Sequence, residues 1–195
     1  QAPWYKEYPW IENYFARVNT ALTKGKADVK VGVIHPVESA WLAYGPNDLS
    51  SDEMNKLEAN FDSITEWLLF GQMDFDYISE SLLPTQVKES TGSLKVGVME
   101  YDAIVVPALK TIRSTTLSIL KDFASRGGKV IIAGDAPLYI DGQEKEGVFE
   151  LVELSKKVDF NKIDILNALK EERDIEVRKD DGSEADRYLY NMRKD

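Results

Sequence analysis

Hydrophobic and polar positions follow two periods along this chain, and these periods separate strands from helices. Runs that are apolar at nearly every position are typical of strands covered on both faces, and alternating or interrupted runs indicate strands nearer an edge. We predict apolar strands at Val29–Ile34, Ala103–Pro107 and Lys129–Ala133. Weaker strand patterns lie at Phe75–Leu83, Leu94–Met99, Ile175–Arg178 and Tyr188–Met192.

Apolar residues recur at helical spacing in most of the segments between these strands. The spacing predicts helices at Pro9–Lys24, from Ser50 to a stop at Gly71, and at Thr115–Arg126, Val148–Lys156 and Ile163–Glu172, with a loop at Val37–Leu49. Pro9 suits the first helical position, and Ser50 with Glu53 forms a capping box. Asn161 is a candidate cap for the last helix.

Strands and helices therefore alternate, which predicts an α/β fold with a parallel sheet covered on both faces. The chain has 195 residues, of which 43% are hydrophobic, as in an ordinary globular domain. We expect a single domain over residues 1–195, with an N-terminal helix within 1–25 and the start of a following β segment at 186–195. The first residue, Gln1, and the charged final segment favour an excised piece of a larger protein, or a mature chain that lacks its leader.

The charge balance and the missing residue types exclude several functions. Lys and Arg number 24 against 34 Asp and Glu, a net charge of −10, which argues against nucleic acid and membrane surfaces as partners. The chain has no cysteine and one histidine, so disulfides, thiolate chemistry and a zinc centre are not expected. Glycine-rich phosphate loops and a GxSxG elbow are absent, and we expect no cofactor and no metal. The composition suits both the cytoplasm and a secreted or periplasmic location.

Open parallel sheets bind ligands at the carboxyl ends of their strands, and this rule selects the candidate site residues. The loops expected at that edge also carry Glu80, Pro107 and Tyr139. The candidates for ligand binding are His35, Glu38, Trp41, Lys110 and Asp135.

Each candidate has a functional and a structural interpretation. His35 suits a general acid or base or a hydrogen-bond donor, and equally a capping or packing residue at a strand end. Glu38 and Asp135 suit a glycosidase-type carboxylate pair, or two loop-end residues. Trp41 suits a platform for a sugar face, or an aromatic lid at the sheet edge or at an interface. The aromatic N-terminal segment suits packing against this domain or a neighbouring one.

Two segments of the chain resemble a known type of domain. They are Asp102–Leu109, an apolar strand entered by aspartate and followed by Pro107, and Leu117–Gly134, a helix followed by Gly127-Gly128-Lys129 and an apolar strand. The pattern resembles the class I glutamine-amidotransferase-like domain within large glycoside hydrolases, including the β-galactosidase trimerisation domain. The match to proteins related to α-L-rhamnosidases is closer, since Pro3–Arg17, Val31–Pro36 and Ser39–Trp41 also fit it. The resemblance covers about Pro3 to Ile140.

The resemblance implies a flavodoxin-like three-layer sandwich with a mainly parallel central sheet. True amidotransferases carry a cysteine nucleophile after the strand that matches Lys129–Ala133, and this chain has Gly134-Asp135 there, so glutaminase activity is excluded. What remains implied is a non-catalytic accessory domain of a glycoside hydrolase. Its partners would be neighbouring domains of the parent chain, a second copy, or a carbohydrate at the rim of the sugar site, near His35, Glu38 and Trp41. The alternatives are a stand-alone sugar or small-molecule binding module, and a glycosidase that uses Glu38 and Asp135.

Overall fold

A computed structural model describes residues 3–88, 92–144, 146–185 and 187–194 of the chain, with only the backbone for 47–51. The helices of these residues are α1 (Tyr8–Thr23), α2 (Val37–Ala43), α3 (Asn47–Phe70), α4 (Leu83–Gln86), α5 (Ser114–Ser125), α6 (Val148–Leu154) and α7 (Lys162–Ala168). Short 3₁₀ helices lie at Tyr5–Glu7 and Lys170–Glu172.

The strands of the described residues belong to four sheets. They are β1 (Lys26–Ala27), β2 (Val31–Ile34), β3 (Phe75–Ile78), β4 (Val87–Lys88), β5 (Leu94–Val96), β6 (Met99–Tyr101), β7 (Ala103–Val106), β8 (Thr111–Ile112), β9 (Lys129–Ala133), β10 (Tyr139–Ile140), β11 (Gln143–Glu144), β12 (Lys156–Val158) and β13 (Arg193–Lys194). The fold is α/β, as the alternating pattern predicted.

The largest sheet has five strands in the order β12-β9-β7-β2-β3. Every neighbouring pair in it is parallel. From the β3 edge, the strands come second, first, third, fourth and fifth in the chain. The order therefore reverses between β2 and β7, and ligands of open α/β sheets bind beside such a reversal.

The apolar runs form the centre of this sheet. All residues of β2 and β7 are buried, as are four of the five residues of β9. Alternate residues of these strands pack with α3 and α7 in one core cluster, which includes Val33, Val105, Ile131, Leu68 and Ile165. Helix α5 buries other apolar residues, among them Leu120 and Phe123, and contacts β9.

The segment predicted as the loop Val37–Leu49 is mostly helical, so that prediction is wrong. It forms α2, and α3 then begins at Asn47 rather than at Ser50. A loop was expected because Gly45 and Pro46 interrupt the apolar pattern, but they separate two helices. The capping box at Ser50 involves a side chain outside those described.

Strand β3 ends at Ile78, not at Leu83 as predicted. Because the backbone N–H groups of Leu82 and Leu83 donate to Ser79 O, at 3.2 and 3.0 Å, the chain turns there. The predicted edge strand Leu94–Met99 is two strands, β5 and β6, on either side of Gly97, which has a φ of +63°. They pair with β4 in a separate antiparallel sheet.

The C-terminal part departs furthest from the prediction. The helix expected at Val148–Lys156 ends at Leu154, and Lys156 begins β12, the fifth strand of the parallel sheet. The last helix is α7 plus a 3₁₀ turn, and the predicted cap is confirmed, because Asn161 Oδ1 accepts from Asp164 N–H at 2.9 Å.

No strand forms at Ile175–Arg178 or Tyr188–Met192, among the described residues. A single bridge joins Arg178 to Glu184. In place of a neighbouring strand, the buried side chain of Gln72 forms hydrogen bonds with the backbone of Val177 and Ala185. Its amide donates to Val177 O and Ala185 O, at 3.1 and 2.7 Å, and accepts from Val177 N–H at 2.5 Å.

The chain divides into two compact units, residues 29–190 and a smaller unit made of 1–28 with 191–195. The smaller unit contains α1, which matches the predicted N-terminal helix to within a residue at each end, and the antiparallel pair β1–β13. The Arg193 side chain donates to three backbone carbonyls at the end of α1 and just after it, Thr23 O, Lys24 O and Gly25 O. None of the residues of α1 is buried. Among the described residues, no helix is apolar over a length that would cross a bilayer.

Candidate functional site

A cavity of about 410 Å³ lies where the segments after three parallel strands meet. Helix α2 follows β2, β8 follows β7, and the β10–β11 turn follows β9. Because carboxyl ends of parallel strands share one edge of a sheet, these three segments converge beside the reversal in strand order. The cavity is lined by Glu38, Trp41, Leu42, Thr111, Ile112, Arg113, Asp141 and Gly142.

Ser39 fastens two of these segments to each other. Its hydroxyl is buried, accepts from the N–H groups of Lys110 and Thr111 at 3.0 and 3.1 Å, and donates to Thr111 O at 3.2 Å. Three hydrogen bonds from one buried hydroxyl hold α2 against β8. The walls of the cavity are therefore fixed relative to each other.

An ion pair joins α2 to the residue after β8. Arg113 Nε donates to Glu38 Oε1 at 2.9 Å, and the side chain of Glu38 is only 9% exposed against 39% for Arg113. The other carboxylate oxygen, Glu38 Oε2, is buried and has no hydrogen-bond partner among the described residues. An unpartnered buried oxygen is costly, and such atoms cluster where something else completes the site.

A second carboxyl group lies behind this pair. Glu80 follows β3, is fully buried, and accepts from Arg113 N–H through Oε2 at 2.8 Å. The pKa of Glu80 is raised from 4.5 to about 7, mainly by burial and to a smaller extent by the charge of Glu38, against the opposing effect of the hydrogen bond from Arg113 N–H. Glu80 Oε1 and the hydroxyl of Thr116 have no hydrogen-bond partner in the described structure.

Trp41 and Asp141 also line the cavity. Trp41 lies one helical turn after Glu38 on the same face of α2, and 64% of it is exposed. Asp141 has a φ of +54°, and its Oδ1 accepts from Ser114 N–H, at the start of α5, at 2.9 Å. Gly142 N–H donates to Thr111 Oγ1 at 3.0 Å, which ties this turn to β8.

The structure brings two of the five sequence candidates, Glu38 and Trp41, into one cavity. His35 lies beside a different, smaller space of about 180 Å³, and its ring packs edge-to-face on Phe61 and Tyr77, each at 5.4 Å between centroids. His35 is therefore in contact with aromatic rings and is not among the residues that line the first cavity.

Lys110 and Asp135 lie apart from the cavity lining. Lys110 Nζ pairs with Glu53 Oε1 at 2.6 Å and lies 5.8 Å from the centroid of the Tyr139 ring. Asp135 is exposed, and the described residues offer it no hydrogen bond or ion pair. Sequence reasoning placed Glu80 in a strand-end loop without choosing it, and it missed Arg113 and Asp141. Nothing in their local sequence marks these two residues, because β8 and the β10–β11 turn are too short to give a periodic pattern.

No group of three or more His, Asp or Glu side chains with suitable spacing occurs in the part of the chain that the structure describes. The cavity is lined by one cation, Arg113, by the carboxylates of Glu38 and Asp141, and by the exposed ring of Trp41. This arrangement offers hydrogen-bond donors, acceptors and one flat apolar face.

Comparisons with known proteins find partial structural likeness only. No protein-family model matches the sequence. No curated protein matches it either. Solved structures of glycoside hydrolases align with part of this chain.

A rhamnosidase from Novosphingobium sp. PP1Y aligns with 84% of this chain at 19% identity and a TM-score of 0.49. An exo-carrageenase GH42 from Bacteroides ovatus aligns with 74% at 16% identity and a TM-score of 0.44. A cold-adapted β-galactosidase from Rahnella sp. R3 aligns with 61% at 19% identity and a TM-score of 0.39. This chain spans 15–16% of the length of those chains.

Proposed function

We propose that this chain is a flavodoxin-like, non-catalytic accessory domain of a glycoside hydrolase. The strand order second, first, third, fourth, fifth is the flavodoxin-like order, which supports the finer fold assignment. The two segments that carry the sequence resemblance form β7 and β9, which are neighbours in the sheet. The residues that resemble such domains thus occupy the centre of this fold.

The observation that carries the proposal is the state of the carboxylates at the cavity. Glycoside hydrolysis uses two carboxyl groups about 5 to 9.5 Å apart, one of them free to donate or accept a proton at the sugar. Glu38 pairs with Arg113 through Oε1, and Asp141 accepts a backbone N–H at the start of α5. Glu80, whose pKa is raised to about 7, is fully buried and is not among the residues that line the cavity. Asp135, the expected partner of Glu38, does not line the cavity. This arrangement supports binding rather than acid–base catalysis.

The segment after β9 supports the same conclusion for amidotransferase chemistry. Gly134 has a φ of +86°, and a Cβ built there would lie 3.0 Å from Phe160 Cβ. A side chain at this position is strained and crowded. The place where an amidotransferase has its cysteine therefore favours a residue without a side chain.

The partners that we propose are neighbouring domains of a parent chain. The smaller unit exposes large apolar side chains along α1, for example Trp10 and Phe15. A run of exposed aromatic residues is typical of surfaces that are covered by another protein surface. A second copy of the chain is the competing partner, and sedimentation velocity at two concentrations separates the two.

Hydrolysis of a panel of aryl glycosides by the purified chain tests the proposal. We expect no release of the aryl group above the rate in buffer, with rhamnoside and galactoside among the substrates. Glu38→Gln and Asp141→Asn are the informative variants, and Glu144→Gln, an exposed residue outside the cavity, is the matched control. Turnover that persists on repurification, and that falls in the first two variants but not in the control, would overturn the accessory role.

A further inference from the structure

The cavity beside the strand reversal has the properties of a built binding site. Its walls come from three segments that are tied together by Ser39, by the ion pair of Glu38 with Arg113, and by the bond from Gly142 to Thr111. A volume of about 410 Å³ falls at the small end of the range for ligand pockets, which is about 300 to 1,000 Å³. The space suits one small ring rather than an extended chain.

The polar groups of the cavity are incompletely used. The Glu38 side chain is more than nine-tenths buried, and its Oε2 has no hydrogen-bond partner among the described residues. Arg113 donates a hydrogen bond to Glu38 through Nε, and no described residue accepts a hydrogen bond from its two terminal nitrogens. The lining thus offers donors on Arg113 and one acceptor that lacks a donor.

The charges of the residues that line the cavity disfavour the binding of an anion or a metal ion. Glu38 and Asp141 are carboxylates and Arg113 is the one cation among the lining residues, so the lining is net negative, and Arg113 already pairs with Glu38. An anion would face two carboxylates, and a metal ion would find no set of three ligands within the described chain. A neutral ligand that both donates and accepts hydrogen bonds fits best.

Trp41 adds an exposed aromatic face to the cavity. An indole that is 64% exposed at the mouth of a cavity presents a flat apolar face with no protein partner on much of it. The C–H face of a pyranose ring is complementary to such a surface, and its hydroxyl groups both donate and accept. Leu42 extends the apolar wall next to Trp41.

We infer that this cavity binds a single neutral monosaccharide ring, stacked on Trp41 and hydrogen-bonded by Arg113 and Glu38. The inference rests on the proposed function, since it names the ligand class of an accessory domain in a carbohydrate-degrading protein. Glu38 orients the guanidinium of Arg113 through Nε, which leaves the terminal nitrogens to donate to ring hydroxyls. A ligand hydroxyl at the floor of the cavity supplies the donor that Glu38 Oε2 lacks.

Titration of the folded chain with L-rhamnose and D-galactose tests the inference, followed by calorimetry and by tryptophan fluorescence. We expect saturation with a Kd on the order of 1 mM, as is usual for one small polar ligand. Trp41→Ala and Arg113→Gln should each raise the Kd about tenfold. Trp10→Ala, which removes another exposed tryptophan that does not line the cavity, should leave the Kd unchanged.

D-Galacturonate, the anionic counterpart of galactose, should bind more weakly than galactose, because the lining is net negative. Tighter binding of galacturonate would overturn the choice of a neutral ligand. Absence of saturation for both neutral sugars, with a cooperative melting transition that shows a folded chain, would overturn the site.

Trp41 is exposed, so its alanine variant is expected to fold, and equal effects of Trp41→Ala and Trp10→Ala would also count against the site. If no sugar binds and no glycoside is hydrolysed, the inference fails and the accessory role stands. If glycosides are hydrolysed by an activity that persists on repurification and falls in Glu38→Gln and Asp141→Asn but not in Glu144→Gln, the accessory role fails whatever the Kd.

Discussion

Replacing Glu80 by glutamine should remove a pH dependence from the stability of this protein. Glu80 is fully buried, and its pKa is raised from 4.5 to about 7, first by burial and then by the charge of Glu38. The glutamine side chain would keep an oxygen that accepts from Arg113 N–H, the bond that Glu80 Oε2 makes at 2.8 Å. The substitution therefore tests the charge of the side chain more than its shape.

The sign and the size follow from linkage between folding and protonation. A carboxyl group whose pKa is higher in the folded state keeps its proton there when the unfolded chain has released it. Its contribution is fully present below the unfolded pKa of 4.5 and is lost as pH rises through about 7. Since one pKa unit corresponds to about 1.4 kcal/mol, the shift from 4.5 to about 7 amounts to about 3 kcal/mol, an order-of-magnitude value.

Urea unfolding of the wild type and Glu80→Gln at several values between about pH 5 and pH 8 measures the effect. The free energy of unfolding of the wild type should fall relative to the variant by about 3 kcal/mol over this interval. Glu144→Gln, at an exposed position, should follow the wild type. Parallel curves for the wild type and Glu80→Gln would refute the reasoning, and would mean that the buried carboxylate ionises without penalty, for example through a bound cation or water at Oε1.

Three further substitutions test the packing at a helix end and the hydrogen bonds that hold the segment 173–185. In Gly128→Ala, the new Cβ would lie 2.2 to 2.5 Å from atoms of the buried Phe123 ring, so unfolding free energy should fall by about 1–3 kcal/mol. Gly127→Ala meets no atom within 4 Å but has a φ of +87°, so denaturation should show a loss of only about 1 kcal/mol; equal losses would contradict the steric argument. Gln72→Ala removes both hydrogen bonds to Val177, so limited proteolysis should cut the segment 173–185 faster than in the wild type, and an unchanged rate would contradict that tie.

The central part of the fold could be predicted from the sequence because it depends on local patterns. Strands β2, β7 and β9 are apolar on both faces, and this property is visible in any short run of residues. Strand β12 was missed because it has the sequence Lys156-Lys157-Val158 and lies at the exposed edge of the sheet. An edge strand with lysines carries no signal that distinguishes it from a helix end.

The candidate site also contains residues that could be predicted from the sequence and residues that only the fold brings together. The sequence could place Glu38 and Trp41 at the carboxyl end of the sheet, since they follow the buried strand β2. Arg113, Glu80 and Asp141 follow three other strands, and only the order of the strands in the sheet places them beside α2. The sequence by itself determined which strands are buried and which residues stand at their ends, because burial is a property of each segment. The tertiary structure decided which of these ends are neighbours, because strand order depends on contacts between segments that are distant in the chain.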